Sequence, residues 1–172
     1  AANTITFTSV IRVALNITTV NSADNNIFRN LNIVGSSPGR NIVAATSTTA
    51  SENTTFGIFV GPNASAPTTA PTAITSVVTG VAAGATAANL IVENNNVVTA
   101  ARAVSINGSA ATVATGLQVK NNQIGNPTAG NADQVTAIGV TVNGATNPVI
   151  SGNLIWIEGY VRSSAATHAI NV

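Results

Sequence analysis

The chain is 172 residues long, 45% hydrophobic, 6% charged and 3% aromatic. One domain with a real core fits that length, and Thr, Asn, Ser and Gly must carry the surface. A formal net charge of +1, with six basic residues that nowhere cluster, excludes a nucleic-acid-binding face. Zero cysteines exclude a disulfide framework, thiolate metal ligands and a thiol nucleophile, and periodic runs of β-branched apolar residues exclude disorder.

In chain order, residues 4–20 alternate and predict two strands of an opening coil. Asn21 to Asn26 reads as a polar turn, and residues 35–55, with Pro38-Gly39 and a Ser/Thr-rich run, as a loop. Gly61 to Thr72 carries Pro62, Pro67 and Pro71, which do not suit a central strand, so this stretch is expected to bulge out. Ile74 to Val92 runs nineteen residues without a charge, near the length of a membrane span. Its Thr and Ser residues, two glycines and Asn89 predict strand and loop instead, with no membrane insertion. Gly125 to Ala132 is a further lateral loop. No linker divides the sequence, so residues 1–172 are read as a single domain. The chain opens Ala-Ala and contains no methionine, as expected of a processed or excised segment of a longer precursor.

The stretch Asn89 to Gly108 sets out a unit that recurs: a short apolar strand, an asparagine corner and a second short strand. Aligned on the corner, Phe28, Val92, Val119 and Ile150 form one apolar column, and Ile33, Val97, Ile124 and Ile155 a second. Between them stand Asn30, Asn94, Asn121 and Gly152, followed by Leu31, Asn95, Asn122 and Asn153. The first column is spaced by 64, 27 and 31 residues, so one coil carries either a degenerate corner or a large insertion. An apolar-x-apolar element follows each corner at Ile58-Phe-Val60, Val104-Ser-Ile106, Val140-Thr-Val142 and Ile170-Asn-Val172. Periods of this size with Asn/Gly corners belong to solenoids. Asn and Gly tolerate the left-handed bend. Equivalent side chains about 4.8 Å apart in stacked coils can hydrogen-bond into a ladder, expected here at Asn30, Asn94, Asn121, Asn95, Asn122 and Asn153.

The residues Asn25 to Gly35, Asn94 to Val97 and Ile150 to Ile155 resemble coils of right-handed parallel β-helix repeat proteins, the broad pectate-lyase-like group. The resemblance covers roughly residues 26–172 and implies an all-β, single-stranded right-handed parallel β-helix, expected to have about five to six coils. Members are mostly secreted or at the cell surface, where they act on or bind polysaccharide or build adhesive structures.

The acidic residues are Asp24, Glu52, Glu93, Asp133 and Glu158, no two adjacent. Acid/base cleavage of polysaccharide needs two carboxylates a few ångströms apart, and the lyases of the resembled group use a carboxylate cluster for calcium with a basic residue. Only Glu93 lies in a corner motif, in one outward column with Arg29, Lys120 and Ser151. Glu93 and Lys120 then fall in adjacent coils, within reach of an ion pair. His168 has no partner acid or serine in the pattern. Trp156 and Tyr160, with Ile155, Ile157 and Glu158, form the one aromatic-rich strand, a candidate core or end-contact surface and, with Glu93 and Lys120, a candidate ligand face. Catalytic residues, metal ligands and cofactors are expected to be none. N-x-S/T sequons at Asn16, Asn53, Asn63 and Asn107 follow from composition. Thr4, Thr6 and Thr8 resemble an ice-binding threonine array, but no other coil repeats the pattern.

Ile170-Asn171-Val172 occupies the place where earlier coils run into Asn-Gly, and neither end carries a helical or polar cap. Bare solenoid ends present unpaired edges, and end-to-end contact between them does not close, which gives a filament. The expectation is a non-catalytic, extracellular or cell-surface structural or adhesive module that self-associates through its ends. The alternative is a polysaccharide-binding or polysaccharide-cleaving module.

Overall fold

The computed structural model of the chain describes residues 7–16, 20–35, 54–63, 81–107, 113–128, 133–157 and 168–172. All regular structure among them is β. The strands are β1 (Phe7–Asn16), β2 (Ile27–Arg29), β3 (Asn32–Val34), β4 (Thr54–Asn63), β5 (Ile91–Glu93), β6 (Asn96–Val98) and β7 (Ala100–Asn107). They continue with β8 (Gln118–Lys120), β9 (Gln123–Ile124), β10 (Val135–Asn143), β11 (Val149–Ser151), β12 (Leu154–Ile155) and β13 (His168–Asn171). The strands stack into three sheets, ordered β1-β4-β7-β10-β13, β2-β5-β8-β11 and β3-β6-β9-β12. Every strand pairing is parallel. From β2 onward the chain visits the second, third and first sheets in turn, over and over, as a parallel β-solenoid does.

The register follows the apolar columns. Phe28 pairs with Val92, Val92 with Val119 and Val119 with Ile150. In the third sheet Ile33, Val97, Ile124 and Ile155 are neighbours, and in the first, Ile58, Val104, Val140 and Ile170. The buried core draws on all three sheets, with Val60, Val104 and Ile106 facing Val92, Val119, Val97 and Ile124. β-Branched side chains suit such stacking because each sits on its equivalent one strand away.

The 64-residue interval holds no extra coil. β2 pairs directly with β5, and β4 with β7, so the added length lies in the connections around β4. Three further expectations are corrected. The opening segment forms one strand, β1, not two; it stays in register with β4 from Phe7–Thr54 to Asn16–Asn63, with one skipped position at Val10. Pro62 lies within β4 rather than in a bulge. Pairing of β4 with β7 stops at Val60–Ile106, and Pro62 matches only Leu15 of β1, so its missing N–H costs nothing on the β7 side. The aromatic strand is shorter than expected: β12 ends at Ile155, Trp156 is outside it, and Ile157 makes an isolated bridge to Val135. Thr4, Thr6, most of the 35–55 loop, Pro67, Pro71, Ile74 to Gly80, Glu158 and Tyr160 lie outside the described residues. No helix among the described residues is long and apolar enough to cross a membrane.

Two glycines mark where the first and third sheets touch. A Cβ on Gly57 would strike Val97 Cγ1 and come within 2.6 Å of the Ala103 carbonyl oxygen. One on Gly139 would lie 2.6 Å from both the Ala169 oxygen and Ile155 Cγ2. Gly57→Ala is therefore expected to cost about 1–3 kcal/mol through overpacking against backbone that has no room to yield. Chemical denaturation followed by circular dichroism measures it; an unchanged midpoint would mean the sheets stand further apart than described.

Candidate functional site

The corners assign different work to their two residues. Asn30, Asn94 and Asn121 adopt φ of 56°, 54° and 54°, and Gly152 of 65°, the left-handed region that turns the chain from the second sheet into the third. The three asparagine side chains are exposed. Their backbone N–H groups donate along the axis, from Asn30 to Glu93 O at 3.3 Å, Asn94 to Lys120 O at 3.1 Å and Asn121 to Ser151 O at 3.0 Å.

The following residue faces inward and builds a ladder. Asn122 Oδ1 accepts from the Asn95 backbone N–H and from Asn95 Nδ2, both at 3.0 Å. Asn153 Oδ1 accepts from the Asn122 N–H at 3.0 Å and from Asn122 Nδ2 at 2.9 Å. Each amide also donates back to the central residue of the second-sheet strand in the preceding coil: Asn95 to Phe28 O, Asn122 to Val92 O and Asn153 to Val119 O. In the first coil Leu31 holds this place, and its N–H donates to Asn95 Oδ1. The ladder is polar, with every Oδ1 facing the coil before it.

A second left-handed column, Asn25, Asn89, Gly116 and Asn147, has φ of 60°, 56°, 74° and 49°. It stands two residues before each strand of the second sheet, and Asn89 Nδ2 donates to Asn25 Oδ1 at 3.0 Å. The sequence reading missed it. The signal was present as an Asn or Gly two residues ahead of each first-column strand.

On the outer face of the second sheet, Arg29 pairs in register with Glu93, Glu93 with Lys120 and Lys120 with Ser151. Glu93 Oε1 lies 3.6 Å from Arg29 Nε, and its Oε2 4.0 Å from Lys120 Nζ. These are solvent-facing ion pairs, worth roughly 0–1 kcal/mol each. Trp156 is half-buried above Gly125, whose missing side chain leaves room for its backbone; it does not join the Glu93–Lys120 row. Tyr160 is outside the described residues, and His168 belongs to β13, in register with Ile138. Among the described residues no three His, Cys, Asp or Glu side chains gather closely enough to hold a metal ion. Of the sequons, Asn107 is buried and leaves no room for a glycan; Asn16 and Asn63 close β1 and β4, and Asn53 is not among the described residues.

One buried charge escaped the sequence reading. Arg102 on β7 is 2% exposed, flanked in register by Phe56 and Ile138, with its guanidinium 5.9 Å from the centre of the Phe56 ring. Desolvation lowers its pKa to about 10. A cation whose folded pKa is depressed adds stability only as pH rises above about 10 toward the ordinary guanidinium range. Arg102 ionisation therefore contributes no pH dependence near neutrality.

Removal of a ladder amide should weigh far more than removal of an ion pair. Asn122→Ala strips the acceptor from the buried Asn95 N–H and from Asn95 Nδ2, and is expected to cost about 2–4 kcal/mol. Asn121→Gly keeps the left-handed turn that Gly152 already makes and should cost less than about 1 kcal/mol. Glu93→Gln should change stability by less than about 1 kcal/mol and lose that small effect at high salt. Equal unfolding midpoints for the Asn122 and Glu93 variants would show that the ladder carries no stability.

No protein-family model, no curated protein and no solved structure matches the chain.

Proposed function

We propose that the chain is a non-catalytic structural or adhesive module of the extracellular space or cell surface, and that it joins further copies end to end. In this reading the sheets form a right-handed parallel β-helix of the pectate-lyase-like kind. One observation carries it. Among the described residues, every exposed large apolar side chain sits on or beside the first or last strand of a sheet. Val10, Val20, Ile27, Leu31 and Val34 lie at one end, and Val149, Leu154, Ile170 and Val172 at the other. Strands β4 to β10 contribute none. Apolar side chains concentrated beside unpaired strand edges are what a stacking surface needs, and a contact between two unlike ends propagates rather than closes.

A second reading, a polysaccharide-binding module, is favoured by the exposed amides of Asn30, Asn94 and Asn121 repeating at coil spacing beside the Arg29–Glu93–Lys120 row. Cleavage finds less support, since among the described residues Glu93 faces the cations Arg29 and Lys120 and no second carboxylate. Glycan-array binding that disappears in a folded Glu93→Gln, Lys120→Ala variant would favour this reading over the first.

Negative-stain electron microscopy of the chain over a range of concentrations tests the leading proposal. Unbranched fibres that lengthen with concentration are expected. Single compact particles at every concentration would overturn it.

A further inference from the structure

The outer face of the second sheet is complementary to itself when one copy is turned end for end. Phe28, Val92, Val119 and Ile150 pack toward the core, so the residues on either side of them point outward and form two rows along the axis. One row is apolar apart from a single amide: Ile27, Ile91, Gln118 and Val149 stand in register, with Ile27 and Val149 45% and 48% exposed. The other row is Arg29, Glu93, Lys120 and Ser151.

A two-fold axis parallel to the strands, midway between β5 and β8, lays a second copy face to face on the first. The order of coils is reversed, and each row covers its own equivalent. Ile27 then lies over Val149 of the second copy and Ile91 over its Gln118, while Glu93 lies over its Lys120 and Arg29 over its Ser151. Every contact occurs twice, as an isologous interface requires. Opposite charges meet, and the surplus cation, Arg29, meets a hydroxyl. Packed sheets stand about 10 Å apart, a gap that Glu and Lys side chains bridge from both sides. Other registers do worse. An axis on β5 puts Glu93 over Glu93, and one on β8 puts Lys120 over Lys120, both destabilising. An axis between β2 and β5 matches Arg29 with Glu93, but only two strands of each copy overlap.

We propose that this face pairs side to side with the same face of a second copy, in the four-strand register. The pairing uses no strand edge, so it stands or falls separately from end-to-end assembly. From corner to corner the face measures four strands at about 4.8 Å by six residues at about 3.3 Å, roughly 400 Å2. Each partner in a standard interface buries about 800 Å2, so the pairing is weak and reversible. Its attraction comes from the apolar row, because exposed ion pairs contribute little. The charged row selects the register, because like charges opposed across an interface are costly.

Exchange of the charges tests both parts. Sedimentation equilibrium of the wild type up to about 1 mM should show reversible pairing. Glu93→Lys opposes lysines across the face and Lys120→Glu opposes glutamates, and each variant alone should pair at least tenfold more weakly. Mixed in equal amounts, the two variants offer each other opposite charges at both positions, and pairing should return to within threefold of the wild type. Ser151→Glu gives Arg29 an opposing carboxylate and should tighten pairing; it serves if circular dichroism shows that an exchange variant does not fold. A wild type that stays single at every concentration would overturn the pairing, as would a mixture no more associated than its components. Loss in Glu93→Lys without loss in Lys120→Glu would overturn the four-strand register. Fibres that form alike in every variant, with no recovery specific to the mixture, would overturn the pairing and leave end-to-end assembly in place. Recovery on mixing, with no fibres in any sample, would uphold the pairing and overturn end-to-end assembly.

Discussion

A tight corner between two sheets has to satisfy backbone groups that neither sheet can reach, and the inward asparagine amide does so. At each bend the left-handed residue turns the chain, and the next N–H points along the solenoid axis with no strand partner. The Oδ1 of the following coil accepts it, while the Nδ2 of the same side chain donates back to the carbonyl of the central residue of the preceding coil's strand in the second sheet. One side chain thus serves two coils. Left unpaired in a buried setting, each such group would cost about 1–3 kcal/mol, comparable with a large share of the stability of a small domain. The apolar columns can stack only because the corners hold adjacent coils at strand spacing.

The same repetition accounts for the low charge. In a parallel stack each side chain lies beside its own equivalent, so a charged residue at a repeated position faces another of its kind about 4.8 Å away, and like charges opposite one another destabilise. Neutral amides and hydroxyls escape the problem and can pair with themselves, as Asn89 does with Asn25, Asn96 with Asn32 and Thr86 with Ser22. Where charge does enter a repeated row it alternates, Arg29 then Glu93 then Lys120. Arg102, flanked by Phe56 and Ile138 instead of other arginines, follows the same rule.

These regularities decide what could be read from sequence. In a parallel solenoid, equivalent positions are hydrogen-bonded neighbours, so an alignment of the chain with itself is already a register. The columns through Val92, Val97 and Val104 follow directly. Corner residues could be named, but not divided between turn and ladder, because Asn serves both and only backbone conformation separates Asn94 from Asn95. Departures from repetition stayed hidden. The single strand β1 alternates without a corner to align on. The place of Pro62 in β4 depends on β7 stopping short of it, and the contacts at Gly57 and Gly139 depend on the distance between two sheets, which no local pattern records.

The hydrogen bonds of all three sheets, and those of the ladder, run along one direction. Tension applied along that axis is shared at every coil boundary by every sheet at once, whereas force across it falls on covalent backbone and side-chain packing. The third sheet supplies only two paired residues between β6 and β9 and again between β9 and β12, so those two boundaries carry the thinnest sets of load-bearing bonds in that sheet. Mechanically the molecule is a stack of plates, stiff within each plate, whose yield point is set by its least-bonded seam.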